Sequence, residues 1–177
     1  IASPKKKNLK NVKYVDIGWG GTEQLLQGQI DALLEYTMER PVSLELQLAK
    51  LGDPREVRRL ALKKVDADLN IIGQVIAVYE PSLSDPNKLQ QIRKIVRASL
   101  RGWAEVKKNQ QEALDIYLKK YPTTEKNYAV KALEWTLTLV PDDIENYKVR
   151  EDDWKKAISA MRDMDMVTGN NMPEEFI

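Results

Sequence analysis

Hydrophobic and polar positions follow two rhythms along this chain, a strand-like one in its front part and a helical one from Asn87 onward. Val12-Lys13-Tyr14-Val15-Asp16-Ile17 is rich in β-branched and aromatic residues and predicts a strand. Gly18-Trp19-Gly20-Gly21 follows, and glycine there lets the backbone take positive φ, so the strand should end in a tight turn. Thr22 can cap a short helix carrying Leu25, Leu26 and Ile30, which Gly28 should end. Asp31-Ala32-Leu33-Leu34 then predicts a second strand running on to Tyr36. Pro41 favours a helix through Leu44 and Leu48 with a stop at Gly52, although the leucines at 44, 46 and 48 also alternate.

From Arg55 to Val65 the alternation is imperfect and fits a strand or a strand pair with a charged edge. Asp66 to Asn70 reads as a loop, and the run from Ile71 to Tyr79 is the clearest buried-strand pattern. Beyond Pro86, Leu89, Ile92, Ile95, Val96, Leu100, Trp103 and Val106 recur at three- and four-residue steps and predict a long helix. A second helix should cover Ala113 to Leu118 and stop at Pro122. A third should open at Thr123 and run toward Pro141, and a fourth should run from about Glu151 to Met164. Acids in the first turn of that last helix suit the positive end of its dipole, which argues against a metal cluster there. The expected fold class is α/β, with a strand–helix–strand front from Ile1 to about Ile72 and a helical back.

Composition narrows the chemistry. The 177 residues hold 28 basic and 27 acidic side chains and are 42% hydrophobic, which suits a globular protein without a dominant field. Nucleic acid is not an expected partner, and Lys5-Lys6-Lys7 reads as a solvated tail. The absence of cysteine and histidine removes thiol nucleophiles, imidazole bases and Cys/His metal sites. The carboxylate pairs Asp142/Asp143 and Asp163/Asp165 fall in expected turns or helix ends without a partner that the sequence can place. No enzymatic activity, cofactor or metal is expected. No apolar run approaches the ~18 residues that span a bilayer, and Ile1 opens the chain without a signal-peptide pattern.

Several stretches together resemble the solute-binding proteins of ABC importers for nitrate, sulfonates, taurine and thiamine pyrimidine precursors. The first is Leu26-Gln27-Gly28-Gln29-Ile30-Asp31-Ala32, followed by Pro41 and Gly52. The strand pattern IIGQVIAVYE comes next, and then Arg97-Ala98-Ser99-Leu100-Arg101-Gly102-Trp103 with Lys108-Asn109 and Glu112-Ala113 after it. The resemblance implies a type II periplasmic-binding-protein-like fold, of which this chain carries the C-terminal portion. It also implies that residues 1–72 form part of the second lobe, while residues 73–177 form the return strand and the helical part of the first. The front half of the first lobe and the opening strand and helix of the second have no counterpart here. A truncated product, or a small relative that gains its missing strands as a homodimer, is therefore expected, and the isolated residues should not be a well-behaved monomer. A related fungal fold makes the thiamine pyrimidine from a histidine of its own chain, and with no histidine here that chemistry is disfavoured.

In parallel strand–helix–strand units, ligands gather at the carboxyl ends of strands and the amino ends of helices. That places Trp19, Gly20, Gly21 and Thr22 opposite Glu35, Tyr36 and Glu39 around one opening, and these are the candidate ligand-binding residues. Trp19 is either a ligand-stacking aromatic or a turn residue covering a core edge. Glu35, Tyr36 and Glu39 either hydrogen-bond a polar solute or make a solvated strand end. Trp103 reads as core packing. The expected function is extracytoplasmic binding of a small polar organic or anionic solute, periplasmic or on the outer face of the cell membrane. An ABC permease is the expected partner, and membrane association would come only through that permease or an absent lipid anchor. The alternative is a small α/β interaction module that binds a protein through an apolar surface.

Overall fold

The computed structural model describes residues 11–18, 20–65, 75–148 and 150–163. The chain divides into two units: Val15–Arg59 with Pro81–Tyr147, and Ile1–Tyr14 with Leu60–Glu80 and Lys148–Ile177. In the first unit, α1 (Thr22–Leu26) is a single short turn of helix. Its N-cap is Gly21 at φ 108°, with no side-chain cap, so Thr22 begins the helix and does not cap it. α2 (Arg40–Leu51) follows, with Pro41 in its first turn, where a missing N–H costs nothing. It stops at Gly52, which sits in the left-handed region at φ 63°. The Asp53 N–H then donates back to the Leu48 carbonyl at 2.9 Å and satisfies an end carbonyl.

α4 (Pro86–Lys108) opens on Asp85, whose carboxylate accepts from the Asn87 and Lys88 N–H groups at 2.9 and 3.3 Å. It breaks at Asn109 into α5 (Gln110–Lys120), which stops at Tyr121 ahead of Pro122. α6 (Lys126–Leu137) completes the helical part, and a single 3₁₀ turn spans Ile144–Asn146. α2 packs on α6, α6 on α5, α5 on α4, and α4 on the 3₁₀ turn. The core lies along those seams. Val42, Leu44 and Leu48 of α2, Ala104 of α4, Ala129 of α6 and Ile144 are buried.

Polar ties reinforce the seams. Arg59 pairs with Glu45 and stacks 4.4 Å over the Trp135 ring, and Lys131 reaches the same carboxylate at 3.7 Å. Lys50 meets Glu125 at 2.8 Å across the α2–α6 seam. The Lys107 ammonium donates to the Val140 and Pro141 carbonyls and to Asp142, at 3.2, 3.1 and 2.7 Å, which closes the turn after α6 onto the end of α4.

The second unit contains α3 (Leu62–Val65), a 3₁₀ turn that begins at Glu80, and α7 (Glu151–Asp163). Glu151, Asp152 and Asp153 stand in the first turn of α7, as the dipole favours. The Arg150 guanidinium holds Asp153 through two hydrogen bonds of 3.0 Å. Ala157 is the buried hydrophobic of this helix.

The expected helices are present, but the expected sheet is not. Among the described residues there is no strand, so the α/β, type II periplasmic-binding-protein-like architecture with a strand–helix–strand front is corrected to a helical one. Residues 12–17 and 31–36 are irregular backbone, and their hydrogen bonds belong to turns, such as Gly20 N–H to Ile17 O at 2.8 Å and Glu39 N–H to Tyr36 O at 3.1 Å. A β-branched sequence favours a pleated conformation, yet a strand exists only when a neighbour takes its N–H and C=O groups. No such neighbour lies beside these segments among the described residues, and Tyr14 and Leu34 stand 75% and 66% exposed. The expected alternation from Arg55 becomes irregular chain ending in α3, and residues 75–79 form no strand either. The loop at Asp66 to Asn70, the first part of the run at Ile71, the lysine cluster and Asp165 lie outside the described residues.

Candidate functional site

The glycine turn is fixed by local geometry first. The Gly18 N–H donates to the Asp16 carboxylate at 3.0 Å, and the Gly20 N–H closes the turn on Ile17. Gly21 is buried, and a Cβ added there would lie 2.7 Å from Ile17 Cδ1 and 3.0 Å from Leu33 Cδ1. Its missing side chain therefore lets Ile17 and Leu33 close over the turn. Positive φ and this close approach both require glycine at position 21.

Arg40 joins this turn to the second segment. Its Nη1 donates to the Gly20 carbonyl at 2.6 Å and pairs with the Glu35 carboxylate at 3.0 Å. Both side chains of the pair are largely covered, at 24% and 14% exposure, so the bridge is better shielded than a surface pair. The other Glu35 oxygen accepts from the Tyr36 N–H at 2.9 Å. The Gly20 carbonyl and the Glu35 carboxylate are thus joined through one guanidinium, with the Tyr36 N–H on the same carboxylate. Tyr36 remains 48% exposed at this edge. Thr22 is half-buried at the start of α1, and Trp19 lies outside the described residues. Arg40 was not singled out in the sequence. The available signal was its position five residues after Glu35 and directly before a helix-starting proline.

Glu39, the N-cap of α2, turns elsewhere. With Met38 it lines the mouth of a cavity of about 310 Å³ among α4, α5 and α6, whose walls include Trp103, Tyr117, Tyr128 and Leu133. Burial, and then the negative charge of Glu39, push the Tyr128 phenol above its ordinary value of 10.0, with Tyr117 adding to the effect. Trp103 lines this cavity at 38% exposure, so it is a wall residue and not the filled-core side chain that its helical position implied. A second depression, of about 370 Å³, lies between α2 and the start of α6, and the Lys50–Glu125 pair is part of its lining. Among the described residues no group of acids, cysteines or histidines could hold a metal ion. Asp142 is engaged by Lys107 and Asp143 by the Asn146 amide, so neither is arranged as an acid–base dyad.

These features sit in a chain whose residues 5–113 match the family described as NMT1/THI5 like, and the chain belongs to that family of solute-binding proteins. Over 112 residues it is 32% identical to the riboflavin-binding protein RibY of Chloroflexus aurantiacus, a match covering 63% of this chain and 29% of that protein. The chain thus spans less than a third of the length of that relative. No solved structure matches it. The family is one of solute-binding proteins, and the relative is by its name a binding protein. No helix among the described residues is long and apolar enough to cross a membrane.

Proposed function

We propose that this chain is part of the extracytoplasmic solute-binding component of an ABC importer, and that it holds a small polar organic or anionic solute between two lobes for delivery to a permease. The observation that carries this reading is the family match over residues 5–113. In this reading residues 1–72 contribute to one lobe and residues 73–177 to the other, and the membrane is reached through the permease or a lipid anchor. The ligand-facing residues are Trp19, Gly20, Gly21, Thr22, Glu35 and Tyr36, whereas Glu39, expected beside them, lines the cavity among α4, α5 and α6. The Arg40 bridge supports this choice, because it ties Gly20 to Glu35, next in sequence to the exposed Tyr36. The first solute to try is riboflavin, which the relative's name supplies, beside nitrate, sulfonates, pyrimidines and polyamines.

A thermal-shift screen with these solutes tests the proposal. A true ligand at about 100 times its dissociation constant stabilises by about 2.7 kcal/mol. Tyr36→Ala should weaken binding of the hit while leaving the melting temperature of the free protein within a few degrees. A screen with no hit on a folded sample, or a hit indifferent to Tyr36→Ala and to Glu35→Gln, would overturn it. Light scattering on the same sample tests the accompanying proposal of a homodimer, which a monodisperse monomer of 20.3 kDa would remove.

A further inference from the structure

The cavity among α4, α5 and α6 has a charge pattern unlike that of the Arg40 edge. At about 310 Å³ it falls at the small end of ligand pockets, roughly 300–1,000 Å³. Apolar side chains from α4, α5 and α6 make most of its wall, with three aromatic residues among them, Trp103, Tyr117 and Tyr128. Among the described residues no lysine or arginine lines it. The formal charge on its lining is the Glu39 carboxylate at the mouth. Glu39 is exposed, and the glutamates that flank the neighbouring seams are matched by cations: Glu35 by Arg40, Glu45 by Arg59 and Lys131, and Glu125 by Lys50. Glu39 has no ion pair or side-chain hydrogen bond among the described residues. Tyr128, on the same lining, is a neutral phenol whose pKa burial and then the Glu39 charge raise further, so it adds no second negative charge.

Aromatic faces are electronegative and attract organic cations, and a carboxylate at an apolar mouth attracts an ammonium group. An anion would meet an apolar wall and a like charge, and would be rejected. We propose that this cavity is a second binding site, separate from the one proposed at the Tyr36 edge, for a small arylalkyl ammonium. The ring of the ligand lies among Trp103, Tyr117 and Tyr128, and its ammonium group meets the Glu39 carboxylate. The site selects a cation, whereas the proposed solute at the Tyr36 edge is polar or anionic, so the two occupants do not compete.

Isothermal titration of the full chain with 2-phenylethylamine, 2-phenylethanol and 3-phenylpropanoate tests this directly, because the three probes share a ring and differ in charge. The amine should bind with a stoichiometry of one, the alcohol about tenfold or more weaker, and the acid not measurably, as loss of one charge-assisted contact implies. Glu39→Gln should bring the amine to the level of the alcohol. Ala132→Phe, which fills the cavity from α6, should abolish both, while any solute found in the thermal-shift screen keeps its affinity in that variant. Tyr36→Ala should leave the amine unaffected, so failure of one site is separable from failure of the other. Equal binding of the three probes, no binding of the amine, or amine affinity unchanged by Glu39→Gln would overturn the proposal. Should Ala132→Phe lose its helical circular dichroism, the Glu39→Gln titration decides alone.

Discussion

The glycine-turn region, residues 15–36, and the helical region, α4 to α6, are both patterned with apolar residues, yet they use them differently. Each turn of α4, α5 and α6 satisfies its own backbone, so the fold there needs only side chains to join the helices. In the glycine-turn region the pattern favours a strand, and a strand cannot satisfy itself. What holds that region instead is a small set of specific ties: a glycine that admits two side chains, and an arginine that bridges a carbonyl and a carboxylate. One region is held by many interchangeable apolar contacts, and the other by few and irreplaceable polar ones.

The contrast is sharpest in the size of mutational effects. Leu44, 3% exposed on α2 where that helix meets α6, should cost about 2–5 kcal/mol when cut to alanine, measured by urea unfolding. Leu34→Ala in the glycine-turn region should stay within about 0.5 kcal/mol, because that side chain is already 66% exposed. An equal loss at both positions would break the comparison. Arg40→Ala should cost about 1–3 kcal/mol, since it strands a covered carboxylate and a carbonyl together, and Arg40→Lys should recover only part, because an ammonium lacks the planar fork. Limited proteolysis should then cut between residues 18 and 36 sooner than in α4 to α6.

Gly21→Ala should cost about 1–3 kcal/mol, from the positive φ together with the crowding of a Cβ against the Ile17 and Leu33 methyls. The smallest effect concerns pH. The hydrogen bond from Lys107, and then its charge, hold the Asp142 carboxyl below its ordinary 3.8. A carboxyl depressed in the folded state contributes stability that is present above pH 3.8 and is lost as pH falls through the lower folded value. Asp142→Asn should flatten that acid-side slope between about pH 5 and pH 2 by a small loss of stability at neutral pH, small because the carboxyl is exposed, with no change at the acid end.

How much of this was legible in the sequence follows the same division. The helices were readable because their punctuation is local: Pro86 ahead of the long helix, Gly52 after Leu51, Pro122 after Tyr121, and acids opening α7. The strands were over-read, since β-branched content states a preference and the ladder depends on a partner that the local sequence does not specify. At the candidate site, Gly20, Glu35 and Tyr36 were grouped as the ends of two parallel strands, and the structure joins Gly20 to Glu35 without those strands, through Arg40. The arginine that joins them was hidden, because a lone cation beside a proline reads as solvated surface. The cavity at Glu39 was hidden for another reason: its walls come from positions as far apart as 38 and 136, and nothing local records their convergence.

The two lysine ties described above also bear on the order in which the unit assembles. Lys107 and Asp142 are 35 positions apart, whereas Lys50 and Glu125 are 75 apart. Doubling a loop adds only ~0.6 kcal/mol of closure entropy, so the two differ little at equilibrium. Rates are more sensitive to sequence separation, and near contacts form first. The α4–α6 segment is therefore the part that closes early, with α2 docking onto a prepared surface. Leu44→Ala should accordingly speed unfolding far more than it slows folding, a signature visible in the two arms of a chevron.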